Sequence, residues 1–405
     1  MKSAMLSLFF CALFAAAPEG EWRGFRNDGG NVSSAHDLPL TWDDDVGIAW
    51  KAKLTGYGQS SPIVFDGKVF VTSIDGSEKE RGLTSCFDLK TGAQRWVTEV
   101  PASQNVPSSD MVSRGAPTPC VDARAVYVFF EGGDVAAFTH DGRQLWHRKL
   151  TLEYGKYQGN HGLGGSLAQS DDAIYLLVDH DGPSYLLALE KKSSKNLWKA
   201  DRPSKISWSS PLFVDGPKPY VVISSSGSVE AYDAGAGTQL WSLSGIDGNT
   251  VASPTVTSEL LIIGSSDPGQ TVALYKPRDG VSKTPEVAWR LKSLSASFSS
   301  PLAYQGHIYV VNKSGVAACI DAESGDTLWS ERLPGSCWAT AIGALNRVYF
   351  FGKDGVTTVV SSGSKFERLA ENGLSIDEGR VYGVAAVPGA LVLRTGQKLI
   401  CVGKP

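Results

Sequence analysis

Short apolar runs bounded by turn residues recur along the whole chain. They are KVFVTS at 68–73, AVYVFF at 125–130, AIYLLV at 173–178, PYVVIS at 219–224, LLIIGS at 260–265, HIYVVN at 307–312, RVYFFG at 347–352 and ALVLRT at 390–395. Each is rich in Val, Ile, Tyr or Phe and too short for a helix, which predicts buried β-strands. A small-small-Pro step and an inner strand stand before several of them: Ser60-Ser61-Pro62, Ala116-Pro117, Ser209-Ser210-Pro211, Ser253-Pro254 and Ser299-Ser300-Pro301. A tight turn such as Asp66-Gly67 or Gln305-Gly306 then leads into the apolar run. After it come a second turn, a third strand, a third turn and a strand carrying Trp.

The Trp residues set the period. Trp50, Trp96, Trp146, Trp198, Trp241, Trp289 and Trp329 follow one another at gaps of 46, 50, 52, 43, 48 and 40, and Phe366 closes an eighth unit 37 residues later. Four-stranded propeller blades repeat at about this length. The last hairpin is the most specific part. CFDLKTGAQRW (86–96), AYDAGAGTQLW (231–241) and CIDAESGDTLW (319–329) share a small residue, Asp two later, and Gly four before Trp. Gly92, Gly142, Gly237 and Gly325 hold that Gly position, where a turn needs positive φ. Ten residues before Trp, Cys86, Ala188, Ala231 and Cys319 leave room for the indole, and Ala137 does so in a hairpin one residue shorter. The expected fold is all-β, an eight-bladed β-propeller of four-stranded antiparallel blades. Residues 47–54 (GIAWKAKL) precede any inner strand, and the last unit lacks an outer one. The N-terminal strand should therefore complete the C-terminal blade, which removes both open edges.

Small-x-Asp-x-x-Thr-Gly-x3-Trp resembles the tryptophan-docking repeat of the pyrroloquinoline-quinone-like (quinoprotein) β-propellers. That family includes the quinoprotein alcohol dehydrogenases and BamB-like exported bacterial proteins. Trp22-x-x-Phe25-Arg26, Leu38-Pro39-x-x-Trp42 and Ala49-Trp50-Lys51 are similar to the start of such exported proteins. The resemblance spans roughly 22–405 and speaks to fold, since one fold hosts many functions. WD and kelch signatures do not recur.

Length alters the picture little, because repeat units pack only on their neighbours and escape the usual domain-size limit. A formal net charge of -4 without a basic stripe argues against a nucleic-acid partner. Lys2 and the apolar run from Ala4 to Ala17 read as an export signal, too short to cross a bilayer. The organisation expected is a signal peptide at 1–17, an arm at 18–46 and a propeller at 47–405, in a periplasmic or secreted monomer. Cys11 follows Phe10, so a lipid anchor there is disfavoured. Cys86, Cys120, Cys319, Cys337 and Cys401 remain, an odd count that argues against a disulfide framework. Cys86, Cys319 and Cys401 fit the small-residue slot and are expected to be core.

The resemblance implies one enzymatic alternative, a dehydrogenase using PQQ with Ca2+. The chain offers no adjacent-cysteine pair and no recognisable Ca2+ cluster, so no cofactor is expected. The His residues do not pair at ligand spacing, no metal site is predicted, and no catalytic residue can be named. Asp179-His180-Asp181 and Ser77-Glu78-Lys79-Glu80-Arg81 read as solvated turns. One constellation stands out. Gln59, Arg114, His161, Trp208, Phe298, Trp338 and Tyr382 lie just before inner strands and should ring one mouth of the channel. Of these, Arg114, His161, Trp208, Trp338 and Tyr382 are the candidate contacts for an envelope protein or small ligand. The competing structural role is to plug the channel against the N-terminal arm. The functional expectation is a binding or scaffold module of the cell envelope, with a carbohydrate-binding or carbohydrate-processing module as a further alternative.

Overall fold

The computed structural model describes residues 20–27, 29–106, 113–159, 161–277, 284–377 and 379–405. Among them are eight four-stranded antiparallel sheets. Blades 1 to 7 span residues 63–101, 120–149, 168–202, 212–246, 255–290, 302–332 and 342–373, each running in chain order from inner to outer strand. Blade 8 takes three strands from 383–403 and its outermost from Ile48–Lys53, which pairs antiparallel with Lys398–Gly403. The ring closes as the sequence pattern requires. Residues 1–19, with the expected signal segment and Cys11, lie outside the described residues.

The Trp register has a physical explanation in the sheets. Cys86 pairs across the ladder with Trp96, Ala137 with Trp146, Ala188 with Trp198, Ala231 with Trp241, Ala273 with Trp289, Cys319 with Trp329 and Cys401 with Trp50. A larger residue in that slot would meet the indole on its own sheet face. The indole also reaches the next blade. Trp50 Nε1 donates to Leu89 O at 2.8 Å, Trp96 to His140 O at 2.9 Å and Trp198 to Ala234 O at 2.8 Å. Trp146, Trp289 and Trp329 repeat the contact with Lys191, Ala322 and Gly363. A Cβ on Gly92 would stand 2.5 Å from the Trp50 ring, so this turn needs Gly for space as well as for its φ of 70°. Trp241 departs from the pattern: its indole N–H is buried without an acceptor among the described residues. Phe366, which has no N–H to donate, packs edge-on against Trp329 with centroids 5.2 Å apart.

The five described cysteines are free and buried. Burial pushes the thiols of Cys86, Cys319, Cys337 and Cys401 up to about 12. A polar thiol reagent should therefore label none of these four rapidly without denaturant, since the thiolate is the reactive form. Cys86→Ala should be tolerated and Cys86→Leu should cost about 1–3 kcal/mol by overpacking against Trp96. Mass-spectrometric counting of labelled sites and the thermal midpoints of the two variants check this.

A second ring lies inside the blades and explains the small-small-Pro steps. Ser61 N donates to Thr118 Oγ1 at 2.9 Å, Thr118 N to Ser166 Oγ at 3.0 Å and Ser166 N to Ser210 Oγ at 2.9 Å. Ser210 N continues to Ser253 Oγ at 2.9 Å, Ser253 N to Ser300 Oγ at 2.9 Å and Ser300 N to Thr340 Oγ1 at 3.2 Å. One hydroxyl per blade thus satisfies a backbone N–H of the preceding blade, in a place too narrow for pairing between neighbouring inner strands. At blade 8 the slot is Gly383, where a Cβ would lie 2.1 Å from Ser61 Oγ. The seam of the ring is filled by Ser61 itself.

The N-terminal arm crosses the channel end and touches every blade. Trp22 exchanges two 2.8 Å backbone bonds with Val64, and Arg23 O accepts from Val121 N at 2.8 Å and from Gln169 Nε2 at 3.3 Å. Gly29 packs on Leu212. Arg26 donates to Pro254 O at 2.9 Å, to Pro301 O at 3.2 Å and to Thr255. Asn31 donates to Thr340 O at 3.1 Å, Val32 bridges Gly343, and Ser33 Oγ donates to Ala386 O at 3.3 Å. These partners fall at or beyond the Pro steps, whereas the mouth residues precede them. The arm and the mouth therefore occupy opposite ends of the inner strands.

Candidate functional site

The mouth is built from a repeated position. Two residues before the ring hydroxyls stand Gln59, Trp208, Phe298 and Trp338, while blades 2, 3 and 5 place Ala116, Gly164 and Val251 there. In blades 2 and 3 Arg114 and His161, further upstream, face the neighbouring mouth residues. The side chains form a chain of contacts from blade to blade. Gln59 N donates to Arg114 O at 3.0 Å, and Arg114 N donates back to Gln59 Oε1 at 3.0 Å. Ser113 N donates to His161 O at 2.8 Å. His161 lies edge-on to Trp208 at 5.8 Å, while Trp208 donates from Nε1 to Gly162 O at 2.9 Å and from N to Thr250 O at 2.7 Å. Across the channel Phe298 packs on Trp338 at 5.3 Å, and Trp338 on Tyr382 at 5.8 Å. Tyr382 meets Tyr57 through a 2.6 Å bond between hydroxyls. Phe298 is 44% exposed and His161 is exposed, while Arg114, Trp208, Trp338 and Tyr382 are half-buried.

Sequence reasoning brought the seven ring residues to one mouth but missed their partners. Tyr57 carries the Arg114 guanidinium 3.6 Å above its ring, and Arg380 stacks 5.1 Å from Trp338. Arg394 is fully buried. It donates to Thr395 O at 2.6 Å, to Ser73 Oγ at 3.1 Å and to Gly396 O at 3.3 Å. Its Nη1 finds no acceptor, and burial lowers the guanidinium to about 9. The available signal was an arginine inside the apolar run ALVLRT. At the other end Arg26 is likewise buried and lowered to about 9 by desolvation, held by carbonyls and a hydroxyl without a carboxylate.

Two segments read as solvated turns are so only in part: Ser77, Glu78, Arg81 and Asp181 are exposed, but each segment also has a buried member. Lys79 is 4% exposed and lies 3.5 Å from the buried carboxylate of Glu131. Burial lowers the Lys79 ammonium and raises Glu131. Lys79 donates to Ser113 O, and Glu131 Oε1 accepts from Gly115 N at 2.8 Å, so the pair grips both flanks of Arg114. Asp179 and His180 are also buried; only Asp181 is exposed. Asp179 accepts from Arg202 Nε at 3.0 Å, which also binds Glu230 and donates to Tyr232 at 2.9 Å. His180 Nδ1 accepts from Gly182 N at 2.9 Å and Gln158 N at 3.1 Å, and desolvation lowers the imidazole so that it stays neutral.

The quinone alternative can be tested on the donor set. The mouth offers arginine, histidine, indole, phenol and amide groups, whereas Ca2+ takes six to eight oxygen ligands, carboxylates prominent among them. Among the described residues no group of three or more His, Cys, Asp or Glu could hold a metal ion. These residues do not fit a Ca2+-bound quinone.

Comparison with known proteins agrees with the architecture. The family described as outer membrane protein assembly factor BamB matches residues 28–160, 140–336 and 269–382. Proteins of that name from Yersinia pestis and Shewanella oneidensis are 23% identical over 226 residues and 24% over 283. The matches cover 55% and 68% of this chain, and 52% and 64% of those relatives, so the chain spans less than two thirds of either one's length. Among solved structures, BamB from Moraxella catarrhalis superposes with a TM-score of 0.64 at 14% identity, covering 88% of this chain and 97% of that one. A europium-containing methanol dehydrogenase superposes at 0.69 and 11% identity, covering 93% and 90%. At such identities the superpositions speak to fold alone. With eight closed blades, the docking tryptophans and a family match running from 28 to 382, the chain belongs to the BamB family of outer membrane protein assembly factors.

Proposed function

We propose that this protein is an exported, non-enzymatic binding module of the cell envelope whose docking end is the aromatic and cationic mouth. The observation that carries the reading is the asymmetry of the two channel ends. One is covered by an arm that touches all eight blades, and the other presents a partly exposed arc of Arg114, His161, Trp208, Phe298, Trp338 and Tyr382. Aromatic and Arg side chains are the residue types that dominate binding energy when partly desolvated on a rigid support. The apolar run at 4–17 supports export, and the relatives, outer membrane protein assembly factors by name, support an envelope partner.

The test is capture of envelope proteins on immobilised protein. Replacing Arg114, His161 and Trp208 together by alanine is expected to abolish capture of whatever specific partner the wild type retains. The thermal midpoint should move by only a few degrees, because none of the three lies in a fully packed layer. Capture insensitive to the triple substitution would move the interface elsewhere, first to the loops around 101–113 and 151–163.

A further inference from the structure

Where the ring closes, two ammonium groups are held side by side. Lys53, the last residue of the closing strand, stands directly opposite Lys398 in the antiparallel ladder of blade 8. Like charges placed so repel each other and weaken the strand pair. Asp377 pairs with Lys398 from an exposed position, and Lys53 forms no ion pair among the described residues. Both lysines line a cleft of about 180 Å3 between residues 375–377, which leave blade 7, and the turn at 395–398 of blade 8. A space of that size takes several waters or one small molecule. Ile376 and Ile400 supply apolar lining, and Gln397 a half-buried carboxamide.

The turn beside the cleft is fixed by its own backbone bonds. Thr395 O and Gly396 O accept from the enclosed Arg394 at 2.6 and 3.3 Å. Gly396 O also accepts from Gly58 N at 2.9 Å, and Gln397 O from Leu54 N at 2.8 Å. All three carbonyls that could repel an anion are thus committed to donors of the fold. A turn held in this way costs a ligand little further ordering. Arg394 brings charge of its own. Its bonds run to neutral oxygens and its Nη1 is left over, so no carboxylate cancels it. Lys53, Lys398 and Arg394 against Asp377 leave an excess of two positive charges around the turn.

We propose that this seam cleft binds a small phosphate monoester, its phosphate between the Lys53 and Lys398 ammonium groups and its short carbon body against Ile376 and Ile400. A phosphate monoester carries a charge of about −1.5 to −2 at neutral pH, which matches the excess. Lysine binds phosphate as a point charge and needs no planar fork to do so. The lining comes from both ends of the chain, so the ligand recognises only the closed ring and stabilises it by mass action. None of the proposed docking residues of the mouth lines the cleft, and the inference stands apart from that reading.

Glycerol 3-phosphate is the probe, with glycerol as its neutral counterpart. Calorimetric titration of the purified protein should show the ester binding at least about tenfold more tightly than glycerol, and the thermal midpoint should rise with ester concentration. Lys53→Gln and Lys398→Gln should each weaken the ester by about tenfold or more. Both should fold, since each side chain reaches solvent and each substitution relieves the repulsion across the ladder. Asp377→Asn should tighten binding, an effect that a merely structural lysine pair would not produce. Vesicles with and without phosphatidate distinguish the sources of the group. Retention on phosphatidate vesicles that is lost in the lysine variants would place the phosphate on a lipid, and ester binding without retention would make it a solute; either keeps the site. Glycerol binding as tightly as the ester, affinity unchanged in both lysine variants, weaker binding in Asp377→Asn, or failure of ester and vesicles alike would each overturn the proposal.

Discussion

Trp22→Ala is expected to cost about 3–5 kcal/mol of stability, as much as removing a tryptophan from the centre of a core. The side chain is 0% exposed although it lies in an arm ahead of the first strand. It belongs to one buried cluster with Leu38, Trp42, Trp50, Val64 and Phe87, so it joins the arm to the blade 8–blade 1 seam. Its indole N–H is buried without an acceptor, so truncation leaves no stranded hydrogen-bond partner and the loss is one of packing. The backbone bridge to Val64 survives the substitution, and so the arm should stay in place around a cavity. Thermal and urea unfolding of the variant against the wild type measures the effect. A loss below about 1 kcal/mol would mean that the arm is an ornament on an independently stable ring.

The contrast between the arm and the blades shows what a linear pattern can carry. The blades were legible because the signal repeats. Each unit restates the same alternation, the same Gly before Trp and the same small residue opposite it, so noise in one unit is corrected by the others. The closing strand was legible for the same reason, since Trp50 is in register. The arm occurs once, and its partners lie up to 353 residues away, from Val64 to Ala386. Nothing periodic announces them. The mouth falls between these cases. Its ring residues share a register with the Pro steps, but Arg394 enters from a second strand, the Lys79–Glu131 clamp from hairpin tips, and Tyr57 from a position two residues before Gln59 that no other blade repeats. Polar residues at hairpin tips are ordinarily solvated, and Lys79 and Asp179 looked ordinary until Glu131 of the next blade and Arg202 of the same blade, respectively, supplied the charges that pair with them. The small-small-Pro steps were read as strand starts only. Their hydroxyls turn out to link blade to blade, a role that spacing alone cannot express.

Arg202→Met is expected to lower stability at neutral pH by about 3–5 kcal/mol and to reverse the response to acid. In the native protein Arg202 is enclosed between blades 3 and 4, bound to Asp179, Glu230 and Tyr232. Desolvation works to raise Glu230, but the Arg202 charge and the hydroxyls of Tyr232 and Ser228, with Lys205 beyond them, outweigh it and hold the carboxyl at about 2. A folded value below the unfolded one, about 4.3, means that the unfolded chain binds protons first. The contribution, roughly 3 kcal/mol, is therefore fully present above pH 5 and is lost as pH falls toward 2. Methionine keeps much of the volume but removes the countercharge, leaving two carboxylates in a site that excludes water. The folded value of Glu230 should then rise above the unfolded one, because desolvation and the neighbouring Asp179 charge outweigh Lys205 and the hydroxyls that remain. Protonation would favour the folded state, so the variant should gain stability between about pH 7 and 5, where the wild type is flat. Urea midpoints at a series of pH values separate the two slopes. Parallel profiles would show that Lys205 and the hydroxyls alone hold Glu230, and that Arg202 serves only to fill the space between the blades.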